Sequence, residues 1–304
     1  MSGKRAATLF RSAAGPLARM LESALWALAA AAGLGAAMVT TGLGLRYATP
    51  AAGAAIGVPS TTLLYWCLAP SVLDSCGFEL AAAGVFALVG LFFPAAVTLL
   101  SYSGNQRMGP TINSSVSCTT PMFALFGAIV FLGESLTAGN MLGTAAIVLG
   151  MVMLTWAGGA RRRRWPLWAI ALPVAAAAIR ALAQVLTKAG LALWPNPYAA
   201  GLIGYTVSAV VILAAVRAAG PRVPADRRAM PWFVATGLLN GGSVFLMYTA
   251  LARGQVALVS PIVATYPLFT LALAMLFMRH ERVTPRLLMG VVLTVAGVVL
   301  LLTL

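Results

Sequence analysis

Of the chain's 304 residues, 61% are hydrophobic and only 9% are charged, whereas about a quarter of an ordinary soluble domain is charged. That balance excludes a soluble enzyme or binding module and places the chain in a membrane. Its formal charge of +14 would suit nucleic acid, but the Arg residues fall mainly between apolar runs, where they anchor loops to anionic lipid headgroups.

A hydrocarbon core about 30 Å thick calls for about twenty apolar residues per helix. Ten such spans are predicted, at 22–45, 51–71, 78–102, 110–132, 138–157, 166–188, 198–216, 231–251, 255–278 and 285–304. Segment 1–21 carries Lys4, Arg5, Arg11 and Arg19. No short apolar core with a cleavage site stands apart from the first span, so the segment is read as a basic tail and not as a signal. The third span ends on Tyr102, with Asn105 and Gln106 just beyond. The fourth carries Asn113, Ser117 and Thr120 at i, i+4 and i+7, leading into Pro121. Residues 158–165, with Arg161 to Arg164, form a connector between halves. Along the sixth span Arg180, Gln184 and Lys188 step by four onto one face. The eighth holds Asn240 and Tyr248, and the ninth holds Ser260, Pro261, Thr265, Tyr266 and Pro267. Cys67, Cys76 and Cys118 show no C-x-x-C pairing and no companion histidines, so structural thiols are expected rather than a metal site.

Polar groups inside a span are costly and therefore informative. Lys188 is expected to snorkel toward the interface near Trp194. Arg180 lies too deep for that and must face the interior, either to hold a substrate carboxylate or phosphate or to pair with an acid such as Glu79. Tyr102 and Tyr248 read as aromatic-belt residues or as solute contacts. His280, the chain's single histidine, reads as a loop residue.

One phrase occurs twice. "ESLTAGNMLG" begins at Glu134 and "ERVTPRLLMG" at Glu281; both fit E-x2-T-x5-G, and a second Gly follows each at Gly150 and Gly297. Pro121 with Pro267 and Tyr102 with Tyr248 keep nearly the same offset. The chain is thus two halves, 22–157 and 166–304, of five spans each. An odd count turns the second half upside down, and inverted repeats are the physical basis of alternating access. Glu134 and Glu281 stand just ahead of helices starting near 138 and 285, where a carboxylate caps backbone N–H groups. Gly143 with Gly150, and Gly290 with Gly297, form stripes that let the fifth and tenth helices pack closely.

The segments "PMFALFGAIVFLGESLTAGNMLGTAAIVLGMVML" and "PLFTLALAMLFMRHERVTPRLLMGVVLTVAGVVLLL" resemble the drug/metabolite transporter (DMT) superfamily, in its EamA-like branch of ten-helix carriers. The second copy departs by reading Met278-Arg279-His280-Glu281 where Leu-Gly-Glu is typical. The resemblance implies an all-α polytopic membrane protein of ten transmembrane helices, in two inverted five-helix repeats. It implies a central cavity drawing on the third, fourth, eighth and ninth helices, and a secondary transporter in a bacterial cytoplasmic (inner) membrane. Expected partners are a small-molecule substrate and membrane lipids, not nucleic acid, and the resemblance also raises proton coupling.

Candidate cavity residues are Arg180, Gln184, Asn113, Ser117, Thr120, Tyr102, Asn240, Tyr248, Thr265 and Tyr266, with helix bends at Pro121 and Pro267. A lipid or lipid-linked sugar flippase is the alternative. No Walker motif occurs, so transport without nucleotide hydrolysis is expected; an intramembrane enzyme is less well supported, since the chain has six acids and one His, and no cofactor is expected. Thirteen Lys/Arg follow the odd-numbered spans and six lie on the opposite side. The positive-inside rule therefore places both termini outside, whereas the resemblance implies the reverse.

Overall fold

The computed structural model describes residues 2–73, 78–108, 116–135, 137–157, 166–218, 226–278 and 285–303. Among them the helices are α1 Ser2–Gly44, α2 Pro50–Val72, α3 Leu80–Phe92, α4 Ala95–Met108, α5 Thr120–Leu132 and α6 Ala138–Ala157 in the first half. The second half holds α7 Ala171–Leu193, α8 Pro197–Ala218, α9 Met230–Arg253, α10 Val256–Val263, α11 Tyr266–Met278 and α12 Pro285–Thr303. Seven stretches are long and apolar enough to cross a bilayer and three are shorter apolar helices. Together they account for the ten spans. Asn113, Glu281, His280, Cys76 and the connector 158–165 lie outside the described residues. The segment read as a tail is helical from Ser2 and continuous with the first crossing.

Three crossings are broken, and the sequence shows why. Pro94 has no N–H to give the Gly90 carbonyl, so α3 stops at Phe92 and α4 starts at Ala95. Ser208 of α8 fills the gap, donating to Gly90 O at 2.5 Å and accepting from Ala95 N at 3.3 Å. In the fourth crossing Pro121 leaves the Ser117 carbonyl without its helical donor, and Thr120 Oγ1 supplies one at 2.8 Å. Thr119 Oγ1 donates to Val116 O and, in the ninth crossing, Thr265 Oγ1 donates to Ile262 O, both at 2.7 Å. The chain turns at Cys118 and Thr119, and again at Ala264 and Thr265. Pro121 and Pro267 therefore open the second half-helix instead of bending a continuous one.

The glycine stripes settle the relation of the halves. A Cβ at Gly143 would stand 2.9 Å from Gly297 O, and one at Gly150 would stand 2.8 Å from Gly290 O. The early glycine of α6 meets the late glycine of α12, so the two helices are antiparallel. They hold equivalent places in the two repeats, and the repeats are inverted. The same exchange runs through the packing: α1 lies on α9 as α7 lies on α3 and α4, and α2 lies on α9 as α8 lies on α3. Lipid gives no hydrophobic drive between helices, so close backbone approach and interhelical hydrogen bonds take its place. Gly237 sits on the Gly57 backbone, and Thr61 Oγ1 donates to Gly237 O at 2.5 Å. Leu63, Phe126, Leu149, Val210 and Val292 are exposed, as befits a surface facing hydrocarbon.

Candidate solute cavity

The breaks in the third, fourth and ninth crossings meet around a cavity with an empty volume of about 800 Å³, counted out into the open space at its mouth. From α1 come Leu34, Ala37, Met38 and Thr41, which share one helical face. Beyond the Pro94 break, α4 presents Val97, Thr98, Ser101 and Tyr102. From α9 come Asn240, Val244 and Met247; Ser117, Val263 and Tyr266 stand at the broken crossings. The cavity lies at mid-span and extends along α1 and α4 toward the face where those helices end.

Polar contacts tie this wall together. The Thr41 and Tyr102 hydroxyls are 3.4 Å apart, Thr40 and Thr236 are 2.7 Å apart, and Tyr205 donates to Asn240 Oδ1 at 3.1 Å. Arg180, on α7, reaches the cavity half-buried, beside Cys118 at one break and Tyr266 at the other. Among the described residues it has no acidic partner. Glu22 pairs with Arg253 at 3.0 Å, Asp226 accepts from Arg228 N, Glu134 is held by backbone, and Glu79 is exposed at the start of α3. The Arg180–Glu79 pair does not form, because the acid stands at the helix end and the guanidinium at mid-span.

The opposite end is sealed. Gly133, at φ 64°, closes α5 in the left-handed conformation that favours glycine. The chain then reverses and Glu134 is delivered sideways. Its Oε1 accepts from Val256 N at 2.9 Å and its Oε2 from Ala257 N at 3.0 Å. The helix it caps is thus α10, in the other repeat, and not the one starting at 138. Lys188 Nζ donates to Leu251 O at 2.7 Å and Gly254 O at 2.8 Å. The α9–α10 turn is clamped on both sides by opposite charges matched to the two helix ends. Leu251, Val256, Ala257 and Val259 around it are 0% exposed. Outside the clamp, Arg253 also lies over the Trp26 ring.

Five of the candidate residues line the cavity: Arg180, Ser117, Tyr102, Asn240 and Tyr266. Thr120 and Thr265 are buried, and their hydroxyls serve carbonyls at the breaks. Gln184 is buried one helical turn deeper than Arg180, with Nε2 3.9 Å from Met247 Sδ and Oε1 unpartnered. Tyr248 is buried toward the sealed end. The sequence reading missed the α1 face and Thr98 with Ser101. A signal for the latter existed, since Pro94, Thr98, Ser101 and Tyr102 repeat at i, i+4, i+7 and i+8.

Fold and cavity define a polytopic membrane protein of ten crossings, two inverted repeats around a polar mid-membrane cavity. The EamA-like transporter family matches residues 21–156 and again 167–303, and the chain belongs to that family. It is a membrane transporter of the DMT type, an integral membrane protein acting on a small-molecule substrate. One solved crystal structure superposes with a TM-score of 0.72 over 93% of this chain and 96% of its own, at 17% identity; that likeness supports the fold alone. No curated protein matches the chain.

Proposed function

We propose that the protein is a secondary transporter that moves a small metabolite by alternating access, with units 22–157 and 166–304 joined through 158–165. The carrying observation is unequal treatment of equivalent positions. Tyr102 borders the cavity while its repeat counterpart Tyr248 is sealed in beside the clamped α9–α10 turn. Two like-built halves in different conformations form a state with one end open and the other shut, and exchanging their conformations reverses the access.

The buried, unpartnered Gln184 Oε1 and Ser260 Oγ lie between the cavity and the clamp. Leaving such groups unbonded costs about 1–3 kcal/mol each, and opening that end would hydrate them. A bacterial cytoplasmic membrane is the location this reading carries with it.

Purified protein reconstituted into liposomes tests the reading by counterflow. Preloaded metabolite should drive uptake of its labelled form without nucleotide, and uptake that responds to an imposed pH gradient would add proton coupling. No exchange across a broad metabolite panel, with a hydrolysed or transferred product instead, would overturn it.

A further inference from the structure

We infer that the solute is a small organic monoanion with an apolar body, whose acid group rests on Arg180. This rests on the transport reading only for the meaning of the cavity. Arg180 stands in the middle of the Leu167–Leu193 crossing, where an arginine costs about 2.5–3.5 kcal/mol or more unless it is paired or watered. Among the described residues no acid lines the cavity or pairs with Arg180; its neighbours Cys118 and Tyr266 are neutral. The described lining therefore carries a net positive charge.

The half-helices add to that sign. α5 and α11, each of 13 residues, begin at this level with their positive ends on the broken segments that flank Arg180. A cationic solute would meet repulsion with no counter-charge, whereas a carboxylate accepts two parallel N–H bonds from one guanidinium. A single guanidinium matches a single acid group. Leu34, Met38, Phe93, Val97 and Val244 make much of the remaining wall, which suits a hydrocarbon or aromatic body and leaves an inorganic anion or a dicarboxylate badly matched.

The test compares three probes of similar body, phenylacetate, 2-phenylethanol and 2-phenylethylamine, by thermal shift on the purified full chain. Phenylacetate should bind about tenfold or more tightly than the other two, as a charge-assisted hydrogen-bonded pair allows. Arg180→Gln should abolish the preference and Arg180→Lys should retain part of it. Equal binding of the three by the native protein overturns the inference, whatever the variants do, as does a folded Arg180→Gln that keeps the preference. Absence of stabilisation by both phenylacetate and hexanoate overturns it too. Anion binding without counterflow would remove the transport reading and leave this one; counterflow of the amine or alcohol without preference for the acid would do the reverse.

Discussion

Tyr102 and Tyr248 hold the same place in two copies of one repeat, yet one faces a cavity and the other is packed away. Around Tyr102 the neighbours are Thr41, Ser101 and the Pro94 break, with empty space beyond. Toward Tyr248's end, Glu134 and Lys188 grip the α9–α10 turn with four hydrogen bonds to backbone. Two like-built halves thus differ at their ends: charged side chains hold backbone at one, and the other borders the cavity. The glycine-lined α6–α12 contact is shared by the two repeats.

Breaking that shared part should have the largest effect. Gly150→Leu would drive a side chain into Thr294 and the Gly290 carbonyl; an overpacked contact against backbone costs about 3 kcal/mol. The expected result is loss of monodisperse protein on size exclusion, with both ends affected alike. Glu134→Ala should act on the sealed end only. It strips the acceptor from two amides, a cost of about 2 kcal/mol, and hydrogen exchange at Val256 and Ala257 should rise by about 30-fold while amides bordering the cavity are unchanged. Lys188→Met should do less, lowering the melting temperature by an amount equivalent to about 1–2 kcal/mol. Arg253→Ala removes only an exposed pair with Glu22, 41% and 48% exposed, and should change stability by at most about 0.5 kcal/mol, less at high salt.

Much of this was legible in the sequence because a bilayer leaves marks. Ten apolar runs had to be crossings, and the spaced glycines had to be a contact, since small side chains are what lets two helices meet in lipid. Arg180 stood out through its cost. The face of α1 did not: Leu34, Ala37 and Met38 are what any span is made of, and their meaning comes from the helices opposite. Glu134 was readable as a cap but not as whose cap, because a carboxylate's chemistry fixes the N–H it wants and not the repeat that supplies it. The prolines pointed to the broken crossings, although the turns come two residues earlier, where Thr119 and Thr265 take over the local hydrogen bonds. The unequal fates of Tyr102 and Tyr248 were beyond sequence altogether, since the residue and its register are the same.

The most direct measurement places single cysteines at Thr98 in the cavity and at Ser260 between the cavity and the clamp, with Cys67, Cys76 and Cys118 replaced by Ser. Each is then labelled in liposomes with a membrane-impermeant maleimide. The account predicts that Thr98→Cys reacts from one face and Ser260→Cys only from the other, and that Glu134→Ala raises the second rate while lowering the first. Labelling of both from the same face, or rates that rise together, would contradict it.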